Sequence, residues 1–312
     1  MLQGSDTIDD PMNRALFLLV ACFWGGSFVA IKEIVAVVHP VSGAAMRTIV
    51  SLVSLILIFS VRRMPMTVER KHLPRLWLAG MFSQALPFLL LFWGETKVSA
   101  GLAGILNGTV PLWTLMIGLL FLRDVETFTK RKAGGLALGL IGVAVIFYPS
   151  IRFGGESGEL QGIIALCGMA CCYGIAIVMT RRLQVGKAKI PFQASVFQQQ
   201  IASTVVLTII ACVVNGPASL WVPWTPTAWG AAVYLGFCST ALAFLIFYHL
   251  ISTWDAVRAS AVTYLVPFVG LILDFVFNGR IPKSNEIIGV FIVMTGVVLV
   301  QGFAKGKSSV KS

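Results

Sequence analysis

The sequence predicts an all-α membrane protein: ten transmembrane helices arranged as two inverted five-helix repeats, with both termini cytoplasmic. Four observations carry that prediction. Hydrophobic residues make up 57% and charged residues 12% of the chain, against roughly 45–50% and about 25% in a soluble domain. Apolar runs long enough to cross about 30 Å of hydrocarbon recur along the whole length. Residues 80–121 also slide onto residues 236–277 at a constant offset of 156 with no gap, and 12 of the 42 positions are identical. Shared apolar composition alone gives roughly 4 such matches, so the chain is duplicated. Finally, with the N-terminus inside, 18 basic residues fall on the cytoplasmic side and 4 on the other, the bias that orients membrane proteins.

The spans follow in order at approximately 14–37, 41–61, 76–96, 100–121, 132–149, 160–181, 192–214, 228–250, 257–278 and 286–304. They divide the chain into an N-terminal cytoplasmic tail (1–13), a first repeat (14–149), an extracytoplasmic connection (150–159), a second repeat (160–304) and a basic cytoplasmic tail (305–312). The tail before the first span is acidic, and no small-residue cleavage site follows the span, so that span is expected to be a retained helix and not a removed signal peptide. The links at 37–41, 96–100 and 250–257 are short enough to make antiparallel hairpins of the spans they join. In the outer loop, Trp221, Trp224 and Trp229 stand where aromatic residues anchor at the interface.

Five spans per repeat is an odd number, so the second copy enters the membrane upside down. Loop charge agrees: the basic loops follow spans two and four in the first half, and six and eight in the second. Inverted repeats with a solute site near the midplane are a transporter architecture.

Composition and motif content also narrow the function. The net charge of +11 is explained by cytoplasmic loops, so no nucleic-acid partner is expected. Cysteines 22, 167, 171, 172, 212 and 238 lie inside apolar segments without metal-ligand spacing, and no cofactor or metal is called for. There is no phosphate-cradling P-loop, no H-E-x-x-H and no G-x-S-x-G, and His39, His72 and His249 are dispersed. An enzyme is therefore not expected; secondary-active transport is, with a non-transporting membrane receptor or scaffold as the distant alternative. The expected partners are a small-molecule substrate, the lipid bilayer and protons; monomer and homodimer are both open. The location is a membrane, the plasma (inner) membrane if the source is bacterial.

Few residues offer chemistry within the spans. Ionisable groups inside a bilayer usually face a cavity or a partner. Arg47 is either the anchor of a substrate carboxylate or a structural anchor to carbonyls or to a carboxylate such as Glu33, Glu95 or Asp274. Glu95 and Asp274 are the candidates for proton coupling, because burial raises a carboxyl pKa. Trp24, Gln84, Phe88, Asn107, Trp113, Tyr173, Thr240 and Tyr264 lie closer to the midplane and form an aromatic, amide-bearing set suited to a small amphipathic solute. An aromatic cage for an organic cation is the alternative reading of the same set. The matched Pro111 and Pro267 free backbone carbonyls in spans four and nine, as a hinge or as a static kink.

Four stretches resemble the drug/metabolite transporter superfamily, specifically its EamA-type members. WGGSF (Trp24–Phe28) is similar to the family's span-one motif, and Pro40 with Arg47 to its span-two pattern. TKVSAGLAGILNGTVPLW (Thr96–Trp113) is similar to the segment leading to the span-four proline, and Glu126 to Thr129 with Gly135 and Gly142 to the motif that follows. The second half departs from the pattern: Arg280 stands where Glu126 would recur, CYGIA replaces WGGSF, and Gln198, Gln199 and Gln200 occupy the region matching Arg47. The resemblance implies a ten-helix carrier working by alternating access, and many bacterial members export amino acids or other small metabolites.

Overall fold

The computed structural model describes residues 11–121, 130–152, 158–185, 189–221, 224–254, 256–266, 269, 272–273, 275–276, 279, 281 and 283–301. Among these residues all regular structure is helical. The long helices are α1 (Pro11–Val35), α2 (Pro40–Arg62), α3 (Arg70–Gly94), α4 (Ala100–Phe121), α5 (Lys130–Arg152), α6 (Glu159–Val185), α7 (Phe192–Asn215) and α8 (Pro226–Thr253). A short α9 (Ala256–Ser260) and α10 (Ser284–Gln301) complete the set. Seven of these helices, α1–α4 and α6–α8, are long and apolar enough to cross a membrane. Their ends fall within a few residues of the spans read from hydropathy. Pro267 and Asp274 lie outside the described residues.

Local chemistry sets the boundaries. Pro40 begins α2, the imidazole of His39 accepts from Val41 N–H, and Arg63 closes the helix in a left-handed conformation with its N–H on the Phe59 carbonyl. Ser99 caps α4 by accepting from Leu102 N–H at 3.2 Å. Thr225 caps α8 in the same way through Ala228 N–H, also at 3.2 Å, and Pro226 supplies the first helical position.

The burial pattern is that of a membrane bundle. Large apolar side chains face outward, with Leu57 62% and Val213 79% exposed. The interior combines apolar residues such as Phe59 and Phe88 with buried serine, threonine and glutamine, including Ser51, Gln199, Gln200 and Thr240. Polar groups inside with apolar groups outside is the arrangement a lipid solvent selects. The protein is a multi-pass integral membrane protein.

The duplication is visible in the helices themselves. Residues Met81–Ala85 of α3 and Tyr234–Leu242 of α8 form widened turns, with Leu86 N–H reaching the Met81 carbonyl and Ala243 N–H reaching the Cys238 carbonyl. The two turns overlap at the sequence offset of the repeat. Pro87 gives a cause in α3, since a proline cannot donate to the preceding turn. In α8 the Thr240 hydroxyl donates to the Leu235 carbonyl at 2.7 Å and fills the widened turn. Such turns are frequent at functional sites.

Each widened turn receives a helix from the other half. A Cβ at Gly80 would lie 2.7 Å from the Gln199 carbonyl oxygen and 3.2 Å from Ala202 Cβ. A Cβ at Gly236 would lie 3.0 Å from the Arg47 carbonyl oxygen and 2.5 Å from Val50 Cβ. Only glycine permits these approaches. Gln199 and Ala202 of α7 therefore stand to α3 as Arg47 and Val50 of α2 stand to α8.

Helices α5 and α10 pair in the same reciprocal way. A Cβ at Gly142 would meet the Gly289 carbonyl oxygen at 2.8 Å, and one at Gly296 the Gly135 carbonyl oxygen at 2.5 Å. Small residues let the two helices approach this closely.

α4 is interrupted midway, as Ala100–Asn107 and Val110–Phe121, with Gly108 and Thr109 between. Pro111 follows one residue into the second piece and leaves the Asn107 carbonyl without its helical donor. At the equivalent place in the second repeat, α9 tightens into the 3₁₀ turn Ala261–Tyr264. Paired interruptions of this kind mark solute sites in transporters built from repeats.

Candidate functional site

One cavity, about 590 Å³ of empty space with its mouth included, lies among these interrupted and widened helices. Its wall takes residues from both halves: Trp24, Ser27 and Phe28 of α1, Arg47 of α2, and Ser83 and Leu91 of α3. Asn107 and Val110 flank the break in α4, Tyr173 and Thr180 come from α6, Phe244, Phe247 and Tyr248 from α8, and Thr263 from the turn after α9.

Arg47 dominates its electrostatics. The residue is 2% exposed. Its Nε donates to Thr240 Oγ1 at 2.8 Å and its Nη2 to Ser239 Oγ at 3.2 Å. The guanidinium carbon sits 4.0 Å from the centroid of the Phe88 ring, a cation–π contact. Nη1 has no hydrogen-bond partner among the described residues, and no carboxylate there lies within ion-pair distance of the guanidinium. Its partners are two neutral hydroxyls, the Ser239 carbonyl at 3.5 Å and a ring, and Nη1, itself buried, is left without one. A buried donor left unmade is costly, which makes such a group a point of recognition.

An aromatic wall adjoins it. Trp24 Nε1 donates to the Ser239 carbonyl at 3.1 Å, and its ring meets Phe247 and Phe244 edge to face at centroid distances of 4.9 and 5.8 Å. Ser239 thus holds both Trp24 and Arg47. Behind the wall, Gln199 joins Ser83 and Tyr248, which donate to its Oε1 at 2.9 and 2.6 Å. Gln200 bridges α7 to α2 by accepting from Ser51 at 3.0 Å and donating to the Thr48 carbonyl at 3.1 Å.

Of the residues singled out in the sequence, Trp24, Arg47, Asn107 and Tyr173 line this cavity. Phe88 and Thr240 stand one layer back, holding Arg47. Gln84 is fully buried but is not among the lining residues, and its amide has no hydrogen-bond partner among the described residues. Trp113 packs on α6, where a Cβ at Gly174 would lie 2.8 Å from its own Cβ. Tyr264 ends the 3₁₀ turn beside Thr263. Glu95 is fully buried at the end of α3, and its carbonyl accepts from Lys32 Nζ at 2.6 Å. Lys32 also donates to the Val98 carbonyl at 2.7 Å, so it ties α1 to the α3–α4 link. Pro111 sits at the α4 break. Ser27, Ser83, Thr180, Tyr248 and Thr263 line the cavity without having been singled out. One signal for Ser83 was present: it is identical to Ser239 across the repeat.

The EamA-like transporter family matches residues 14–148 and again 160–301, nearly the whole chain in two copies. The chain belongs to the EamA-like transporter family. Within it, the chain is 26% identical over 294 residues to an uncharacterized transporter of Archaeoglobus fulgidus, covering 90% of this chain and 96% of that one. It is also 26% identical over 246 residues to a probable terminal-alkyne amino-acid exporter of Streptantibioticus cattleyicolor, covering 78% and 79% of the two chains. A solved crystal structure at 16% identity superposes with a TM-score of 0.69 over 93% of this chain and 96% of that one, which shows a shared fold. As an EamA-like protein it is a membrane transporter.

Proposed function

We propose that this EamA-like protein is a secondary-active carrier that exports a small amphipathic metabolite, such as an amino acid, by alternating access. The observation that carries this reading is the unpartnered Nη1 of Arg47 at the wall of an aromatic-lined cavity. A carboxylate placed there makes a charge-assisted hydrogen bond, about twice as strong as a neutral one, while Trp24, Phe244 and Phe247 contact the apolar part.

The architecture in this proposal is ten spans in two inverted repeats, 14–149 and 160–304, with the termini and the basic loops cytoplasmic. The reciprocal docking of α2 on α8 and of α7 on α3 supports it. Rocking of the halves about the cavity would expose it to each side in turn, with Pro111 at the α4 break as the bending point and its match Pro267 as the counterpart. A proton gradient is the energy source in this scheme, with Glu95, buried at the end of α3, as the coupling group.

The organic-cation alternative uses the same aromatic faces but gives Arg47 the wrong sign. Transport into proteoliposomes separates the two readings. Arg47→Gln should abolish uptake of a carboxylate-bearing solute such as phenylalanine. Undiminished uptake by the variant, or preferential uptake of a quaternary ammonium ion by the wild type, would sink the carboxylate reading.

A further inference from the structure

The duplication that docks Arg47 on α8 docks Gln199 on α3, and the two polar residues prepare the cavity in opposite senses. Gln199 is fully buried and does not itself line the wall. Its Oε1 accepts from Tyr248 Oη at 2.6 Å and from Ser83 Oγ at 2.9 Å. Its Nε2 donates to Ser195 Oγ at 3.0 Å and to Thr180 Oγ1 at 3.3 Å. All of its hydrogen-bonding capacity is therefore committed inside the protein.

A hydroxyl carries one proton and two lone pairs. Tyr248 gives that proton to Gln199, and Ser83 gives its own to Gln199 at 2.9 Å in preference to the Gly80 carbonyl at 3.4 Å, so lone pairs are what both have left for the cavity they line. Arg47 has only N–H groups to offer, and Nη1 is the one still free. The cavity thus has a donor pole at Arg47 and an acceptor pole at Ser83 and Tyr248, each fixed by a bond to a residue at an equivalent place in the repeat. A solute with a cation or an anion alone satisfies one pole and leaves the other desolvated.

We infer that Gln199 is a positioning residue for zwitterion recognition: it holds Ser83 and Tyr248 as acceptors for the ammonium of a solute whose carboxylate lies on Arg47. The inference rests on the amino-acid reading above and sharpens it, because it requires both charges on one molecule. It also gives a use to the asymmetry between the halves, since a second arginine in place of Gln199 would make two donor poles.

The test uses three labelled solutes in proteoliposomes: phenylalanine, 3-phenylpropanoate, which lacks the ammonium, and 2-phenylethylamine, which lacks the carboxylate. Wild-type protein should prefer phenylalanine to either half-molecule by at least about tenfold in affinity, the worth of one charged hydrogen bond. Gln199→Leu should lower the phenylalanine to 3-phenylpropanoate ratio by about tenfold, through KM more than through maximal rate. Gln199→Glu retains acceptors for both hydroxyls and should preserve the ratio. Tyr248→Phe removes one hydroxyl without disturbing the ring and should lower the ratio even if Gln199→Leu does not fold. Equal losses for both solutes in these variants would mark Gln199 as purely structural and overturn the inference. So would wild-type protein that moves 3-phenylpropanoate as well as phenylalanine, a result that leaves a carboxylate carrier intact. Folded wild-type protein that moves none of the three would overturn the amino-acid reading itself.

Discussion

Replacing Arg47 by methionine separates an arginine that binds solute from one that holds helices together. Burying the cation costs about 2.5–3.5 kcal/mol on insertion scales. Against this stand hydrogen bonds to Thr240 and Ser239, about 1.5 kcal/mol each at the low end for a charged donor, and the contact with Phe88. These contributions nearly cancel without solute. Arg47→Met removes cost and contacts together, and Thr240 keeps its own bond to the Leu235 carbonyl. Stability of the empty protein should therefore change by less than about 1 kcal/mol, as for other buried charges replaced by apolar groups of similar length. The loss should appear only with solute: a buried carboxylate left without its cation costs about 2–5 kcal/mol, so phenylalanine affinity should fall by at least about 30-fold. Thermal unfolding in detergent with and without phenylalanine, alongside calorimetric titration, reads both quantities. A fall of more than about 3 kcal/mol in the empty protein, with little change in affinity, would show that Arg47 is a structural anchor.

Other outcomes follow from the packing and the proposed topology. Gly296→Val would drive a side chain into the Gly135 carbonyl, 2.5 Å from the new Cβ, and should cost about 3 kcal/mol. Gly134→Ala, with nothing within 4 Å of the new Cβ, should leave thermal unfolding within about 0.5 kcal/mol of wild type; equal effects would mean that α5 and α10 do not pack as described. Gly80→Ala and Gly236→Ala press on equivalent backbone sites and should both lower the unfolding temperature, whereas a neutral result at either would break the equivalence. A cysteine at Glu69 should resist a membrane-impermeant thiol reagent in intact cells, and one at Trp221 should react. The reverse pattern would invert the topology.

Seven of the spans were legible to within six residues because length and apolarity alone decide what crosses a bilayer. Arg47 stood out because a cation inside hydrocarbon is rare, and Trp24 and Asn107 because polar atoms are scarce there. The serines and threonines were not legible. Such residues are common in membrane helices, and many bond only to a carbonyl three or four residues back, as Thr114 does to Val110. Sequence spacing cannot tell one that lines a cavity from one that does not. The neighbours Gln84 and Ser83 show the same limit: both lie in the widened turn at Met81–Ala85, and of the two it is Ser83 that lines the cavity.

Sequence by itself determined the membrane class, the duplication and the family resemblance. These depend on summed hydrophobicity and on residue identities at fixed offsets, which survive any detail of packing. Only the tertiary structure decided that α2 meets α8 and α7 meets α3. It alone left Nη1 of the cavity-lining Arg47 without a partner, and it alone made Gln199 the acceptor of the Ser83 and Tyr248 hydroxyl protons. Those outcomes turn on which hydrogen bonds are made within the protein and which are left for a solute, and that balance is fixed only when helices from both repeats come within hydrogen-bonding distance.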